Sequence, residues 1–180
     1  MKKTILTFGF ISGALISGLM SLAMAFSNQI GHGERGMVVG YTSMVLSFLL
    51  VFFGVRAYRD DEGQGSITFG RAFGLGMCIM LISCVCYVVT WEIIYHFFMP
   101  DFMDKYGAYA IEKARAAGAN AAALEAKAAE MRHAKEMYDN PLYNVAITFI
   151  EPFPVGLLIT LISAVVLKRK PKIAAVQVAG

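Results

Sequence analysis

Four long apolar stretches, at residues 4–26, 37–55, 72–99 and 145–167, constrain this chain more than any other feature. Each approaches or exceeds the roughly 20 residues that an α-helix needs to cross about 30 Å of hydrocarbon. A transmembrane strand would alternate apolar and polar residues over about 10 positions, and no stretch does so. Hydrophobic residues make up 57% of the chain, against about 45–50% in soluble domains. Their grouping into blocks, more than their abundance, carries the argument. The expected fold is all-α: an integral membrane four-helix bundle, one domain over 1–180, with spans at about 4–26, 37–57, 70–99 and 142–167. An extramembrane helical hairpin is expected at about 101–140, between spans three and four.

The first stretch has two readings. Lys2 and Lys3 precede it and Ala23-Met24-Ala25 closes it, as in a cleaved targeting segment. Its apolar run is longer than the about 7–15 residues of a signal core. It also repeats a small residue every fourth position, at Gly9, Gly13, Ser17, Ser21 and Ala25. Such a stripe lets two helices approach closely in lipid, so a retained span is expected.

Basic residues set the orientation. Lys2 and Lys3 stand at one end, Arg56, Arg59 and Arg71 in the second connection, and Lys168, Arg169, Lys170 and Lys172 in the tail. The 27–36 connection holds only Arg35. The 100–140 segment balances six Lys or Arg with seven acids. Both termini and the 56–71 connection are therefore expected to be cytoplasmic. The net charge of +3 belongs to topology; no basic stripe with interleaved aromatics marks a nucleic-acid partner. The bilayer is the expected partner, joined by another membrane protein or a second copy of the chain.

Within the connections, residues 66–73 are expected to lie in the membrane interface, with Phe69 and Phe73 inserted and Arg71 at the headgroups. Gly70 and Gly74 extend a small-residue face toward Cys78. The 100–140 segment is rich in Ala, Glu, Lys and Arg, and Gly118 interrupts it. Asn120 suits a helix N-cap, which gives two helices at about 101–117 and 120–138. Leu124, Met131 and Tyr138 recur every seven residues on the second. Asn140-Pro141 then caps and opens the last span.

Four segments resemble a family of small four-span bacterial inner-membrane proteins known only as a domain of unknown function. They are Ile67-Thr68-Phe69-Gly70-Arg71-Ala72-Phe73, Pro100-Asp101-Phe102-Met103-Asp104-Lys105-Tyr106, the run from Ala116 to Pro141, and Glu151-Pro152-Phe153-Pro154-Val155-Gly156-Leu157. The resemblance implies four spans, a helical insertion between the third and fourth, and a retained first span. It implies no substrate, cofactor or catalytic residue.

Few ionisable residues interrupt the apolar stretches. Glu92 and His96 are four apart, which places them on one helix face. Glu151 precedes Pro152 and Pro154, which should break the fourth span. Counting about 1.5 Å per residue from the span ends puts Glu92 and Glu151 at similar depth, toward the outer leaflet. An acid in hydrocarbon normally faces the bundle interior or water. Glu92, His96 and Glu151 are therefore the candidate functional cluster. It reads as polar glue between spans three and four, as a proton or cation site, as a divalent-metal site completed by His32 or His133, or as a lipid headgroup contact. Glu130 and His133 form a second short pair on a polar helix. Cys78, Cys84 and Cys86 follow no metal or disulfide spacing.

No nucleotide loop, nucleophile elbow, zinc-protease motif or paired-thiol motif is present. The expected function is a non-enzymatic structural or interaction protein of the inner membrane, with no cofactor and no metal site. The alternative is a small proton- or cation-linked transporter or sensor that uses the Glu/His cluster.

Overall fold

A computed structural model of the chain describes residues 1–26 and 34–170. Its helices are α1 (Lys2–Ala25), α2 (Glu34–Asp61), α3 (Phe69–Ile93), α4 (Phe102–Ala116), α5 (Ala121–Tyr138), α6 (Pro141–Ile150) and α7 (Phe153–Leu167). A π-helical turn, Ile94–Phe98, prolongs α3. The chain is thus all-α, and four helical stretches are long and apolar enough to cross a membrane: Lys2–Ala25, Arg35–Asp61, Phe69–Phe98 and Pro141–Leu167. The longest runs 30 residues, or roughly 45 Å at about 1.5 Å per residue, so its ends pass beyond the hydrocarbon or the helix tilts.

Small hydroxyl residues punctuate an apolar interior, and the exterior is apolar as well. Ser12, Ser47, Ser83, Thr160 and Ser163 are buried, while Leu6, Phe10, Leu49, Phe53, Val85, Val89, Leu158 and Ile162 are exposed. An apolar exterior on this scale would be an aggregation liability in water and is the ordinary solution in lipid. α1 packs against α2 and α3, and α7 packs against the same two helices. The small-residue stripe of α1 makes the α1–α3 contact. A Cβ on Gly13 would stand 2.6 Å from Cys86 Sγ, and one on Gly9 would stand 2.9 Å from Ile82 Cδ1. Ser17 donates to the Cys86 carbonyl at 3.3 Å and accepts from the Thr90 hydroxyl at 2.8 Å. The Ser12 hydroxyl reaches the Ser47 carbonyl of α2 at 2.9 Å.

The N-terminus, the 62–68 connection and the end of α7 meet at one end of the bundle. Glu62 accepts from the Met1 amine and from the Thr4 hydroxyl, and these hydrogen bonds, led by the amine, hold its carboxyl below the usual range. Ile67 and Arg169 exchange backbone hydrogen bonds of 3.1 and 2.9 Å, and the Ile67 side chain is buried. Residues 66–68 are held by the end of α7, and Thr68 caps α3 through the Arg71 amide, so Phe69 and Phe73 stack within the first turn of the span. The face running from Gly70 through Gly74 toward Cys78 meets no neighbour among the described residues: a Cβ on either glycine finds open space, and Cys78 is exposed.

The hairpin stands at the opposite end. Gly118 turns the chain at φ 84°, in the left-handed region that favours glycine, and the Asn120 side chain caps α5 by accepting from the Ala123 amide at 2.9 Å. α4 and α5 pack face to face where Gly107 meets Met131. Lys135 of α5 holds Asp104 of α4 at 2.6 Å. Aromatic contacts seat the pair on α3: Phe102 lies edge-on to Trp91 at 4.9 Å, and Tyr138 edge-on to Tyr95 at 5.3 Å.

Hydrogen bonding to Asp104 raises the Lys135 ammonium above its ordinary value of 10.5. The sign follows from linkage: the pair stabilises the hairpin fully below that value, and the contribution fades as pH rises through the raised one. Both groups are solvent-facing, so the effect is small. Asp104→Lys should loosen the hairpin base at neutral pH, and the double reversal Asp104→Lys/Lys135→Asp should restore it. Emission from Trp91, the single tryptophan, reports the docking. Equal spectra for single and double variants would remove the clamp.

Candidate functional site

The two prolines break the fourth span as expected. α6 ends at Ile150 and α7 begins at Phe153, leaving Glu151 at the joint. The joint separates two packing regimes: α7 packs on α2 and α3, whereas α6 packs on α3 and α5. A cavity of about 300 Å³ lies beside the joint, walled by α1, α2, α3 and the start of α4. Ile16 and Met20 line it from α1, Gly40, Tyr41 and Met44 from α2, Tyr87 from α3, and Phe102 and Tyr106 from α4. The Glu151 carboxylate completes the wall and accepts a hydrogen bond of 2.9 Å from the Tyr87 hydroxyl.

Both partners lie deep. Counted from the middle of Phe69–Phe98, Tyr87 is roughly 5 Å toward the hairpin end, and Glu151 is about as far from the middle of Pro141–Leu167. Neutral hydrogen-bonding surroundings at such depth make a carboxyl expensive to leave unpartnered. The Tyr87 hydroxyl supplies one hydrogen bond, and the cavity leaves the other face of the carboxyl accessible.

Glu92 and His96 form a second pair, nearer the hairpin end. His96 Nδ1 lies 3.5 Å from Glu92 Oε2 and 3.0 Å from the Glu92 carbonyl oxygen. His96 belongs to the π-helical turn and is half exposed, with Glu92 more covered. The direct contacts pair Glu92 with His96 and Glu151 with Tyr87. Among the described residues no three His, Cys, Asp or Glu side chains are grouped to hold a metal ion. Of the two histidines considered as completing ligands, His32 lies outside the described residues. His133 sits on α5, 3.8 Å from Glu136 and largely exposed. Glu130, its other short-range partner in sequence, pairs with Lys127 at 2.9 Å.

A polar seam links the cavity with the hairpin base. Asn144, Thr148 and Glu151 recur on one face of α6 and its continuation, with Thr148 donating to Asn144 Oδ1 at 3.2 Å. Tyr87, Trp91 and Tyr95 recur on the facing side of α3. Tyr95 donates to Asp139 at 3.0 Å, and Trp91 stacks on Tyr95. Burial is the main cause that pushes the Tyr138 phenol above its usual value, opposed by the neighbouring Thr148 hydroxyl. Trp91 Nε1, Glu92 Oε1 and Asn144 Nδ2 are buried without a hydrogen-bond partner among the described residues.

Sequence reasoning singled out Glu151 and missed Tyr87, Asn144 and Thr148. In an apolar helix a lone tyrosine reads as core. The signal that could have found them is the spacing Asn144, Thr148, Glu151, a polar row at i, i+4 and i+7 in an otherwise apolar stretch.

A family model described as "Protein of unknown function (DUF4199)" matches residues 7–169. No curated protein matches the chain, and no solved structure does.

Proposed function

We propose that this chain, which belongs to the DUF4199 family of proteins of unknown function, is a non-enzymatic interaction protein of a bacterial inner membrane whose cavity at Glu151 receives a small ligand. The carrying observation is the Glu151 carboxylate at the wall of a roughly 300 Å³ cavity that is otherwise mostly apolar. That volume is at the small end of ligand pockets, roughly 300–1,000 Å³, which are apolar with a few placed polar groups. One feature supports a role without catalysis. The lining hydroxyl of Ser43 is engaged with the Val39 carbonyl at 2.8 Å, so it is not held beside a base as an activated nucleophile would be.

Orientation follows from charge. Lys2, Lys3, Arg56, Arg59, Arg71, Lys168, Arg169 and Lys170 lie at the end where Glu62, Ile67 and Arg169 meet, and the positive-inside rule makes that end cytoplasmic. Alkaline phosphatase fused after residue 120 should be active, and fused after residue 180 inactive; the reverse pattern refutes the orientation.

Ligand binding is tested on protein extracted in mild detergent. A Cβ on Gly40 meets open space, and Gly40 lines the cavity, so Gly40→Leu should fill it without a clash. Native mass spectrometry should find a small adduct on the wild type that Gly40→Leu lacks. Identical adduct patterns would overturn the reading. A second reading, a proton- or cation-linked transporter or sensor, draws its support from the seam of unpaired polar atoms between cavity and hairpin.

A further inference from the structure

We infer that the cavity takes a lipophilic organic cation, an ammonium carried on a small apolar or aromatic body, with Glu151 as its counter-ion. The inference rests on the binding reading above and names the class of ligand. Among the described lining residues Glu151 is the one formal charge, and no Lys or Arg accompanies it. A carboxylate in an apolar wall, with a single phenol as partner, is complementary to one positive charge.

The rest of the wall fits what such a charge would carry. Tyr41, Tyr87, Phe102 and Tyr106 place four aromatic rings around the space, and ring faces attract ammonium groups, most strongly where water is excluded. Met20 and Met44 add polarisable, adaptable surface. A bare metal ion is a poorer fit, because hard cations need about six or more oxygen ligands and the wall offers mostly carbon. Lipid ammonium headgroups are also a poorer fit. They sit at the bilayer surface, about 15 Å from the middle of a 30 Å core, while Glu151 is roughly 5 Å from the middle of its span. The ligand is therefore a free amphiphilic amine that partitions into the bilayer.

The test uses the full chain in a nonionic detergent and three probes of one shape. These are phenethyltrimethylammonium, its uncharged carbon isostere (3,3-dimethylbutyl)benzene, and 3-phenylpropionate. Affinity is read by titration calorimetry and by the rise in Tm. The cation should bind the wild type roughly tenfold or more tighter than the isostere, as charge pairing with Glu151 and cation–π contact provide, and the anion should bind weakest. Glu151→Gln should remove most of the cation's advantage over the isostere, and Gly40→Leu should abolish binding of both. Equal affinity of cation and isostere in the wild type would overturn the cation inference and leave the binding reading standing. Binding of the three probes unchanged by Gly40→Leu, or no binding of any, would remove the cavity as a ligand site and both readings with it. If Glu151→Gln does not fold, the cation-to-isostere ratio in the wild type still decides the charge, and Gly40→Leu still decides the place.

Discussion

Gly13→Leu should abolish the folded bundle or lower its stability by about 3 kcal/mol, at the upper end of what overpacking does. A Cβ at this position would stand 2.6 Å from Cys86 Sγ and 2.8 Å from Cys86 Cβ. The second contact is the harder one, because Cβ is fixed to the backbone of α3 and cannot rotate away. Leucine would gain roughly 0.5–1 kcal/mol of helix propensity over glycine, too little to offset a forced separation of the two helices. Separation would also stretch the Thr90–Ser17–Cys86 hydrogen bonds, which span the same contact. Gly18→Leu is the matched control: it makes the same chemical change on the same helix, where a Cβ meets open space. Its expected effect is near zero or slightly stabilising. Thermal unfolding in detergent distinguishes them, and equal Tm values for the two variants would rule out the close α1–α3 contact. Cys86→Gly combined with Gly13→Leu should recover part of the loss, since the two sites share one contact.

The contrast between these two glycines shows where sequence reading succeeds and stops. A small-residue stripe on α1 was legible, because a four-residue repeat in an apolar helix has few other causes. Its partner was not, since nothing local in α1 names Ile82, Cys86 or Thr90. The hairpin was legible almost to the residue. Gly118 needs a left-handed turn and Asn120 caps the next helix, and both effects act within a few residues. The broken fourth span was legible for the same reason, because Pro152 and Pro154 act on their own turn of helix.

The site was half legible. Glu151 stood out as an acid in an apolar stretch, but depth counted from the span ends paired it with Glu92. Tyr87 precedes Glu92 by five residues, which turns it about 140° around α3. The hydroxyl that meets Glu151 is therefore carried well round the helix from Glu92. The π-helical turn at Ile94–Phe98 and the bridge between Ile67 and Arg169 depend on elements distant in sequence, and no local pattern announces either. The cavity is of the same kind. Its lining comes from α1, α2, α3, the start of α4 and the joint at Glu151, which is a property of the assembled bundle.

Tyr87→Phe should destabilise the bundle by about 1 kcal/mol, because it removes the hydroxyl that donates to Glu151, whose side chain is otherwise exposed. Glu151→Gln should be milder, since the amide oxygen still accepts from Tyr87. Glu151→Lys should be the most damaging, as it sets an ammonium in a wall that then holds no anion; insertion scales give about 2.5–3.5 kcal/mol for a lysine at the centre of a span. The informative variant is the double one. Glu151→Met with Tyr87→Phe removes both polar partners and keeps their volume, a change that is often neutral or stabilising. If the pair serves only to hold α3 to the fourth span, the double variant should be clearly less stable than the wild type. The cavity reading expects the opposite: near wild-type Tm for the double variant, together with loss of the cation probe. Near wild-type stability with undiminished cation binding would show that the carboxylate is not the counter-ion. A double variant as unstable as Tyr87→Phe would return the pair to structural glue. Stability and binding are thus read on one protein, and the two roles predict different outcomes in Tm: a clear fall for structural glue and none for the ligand site.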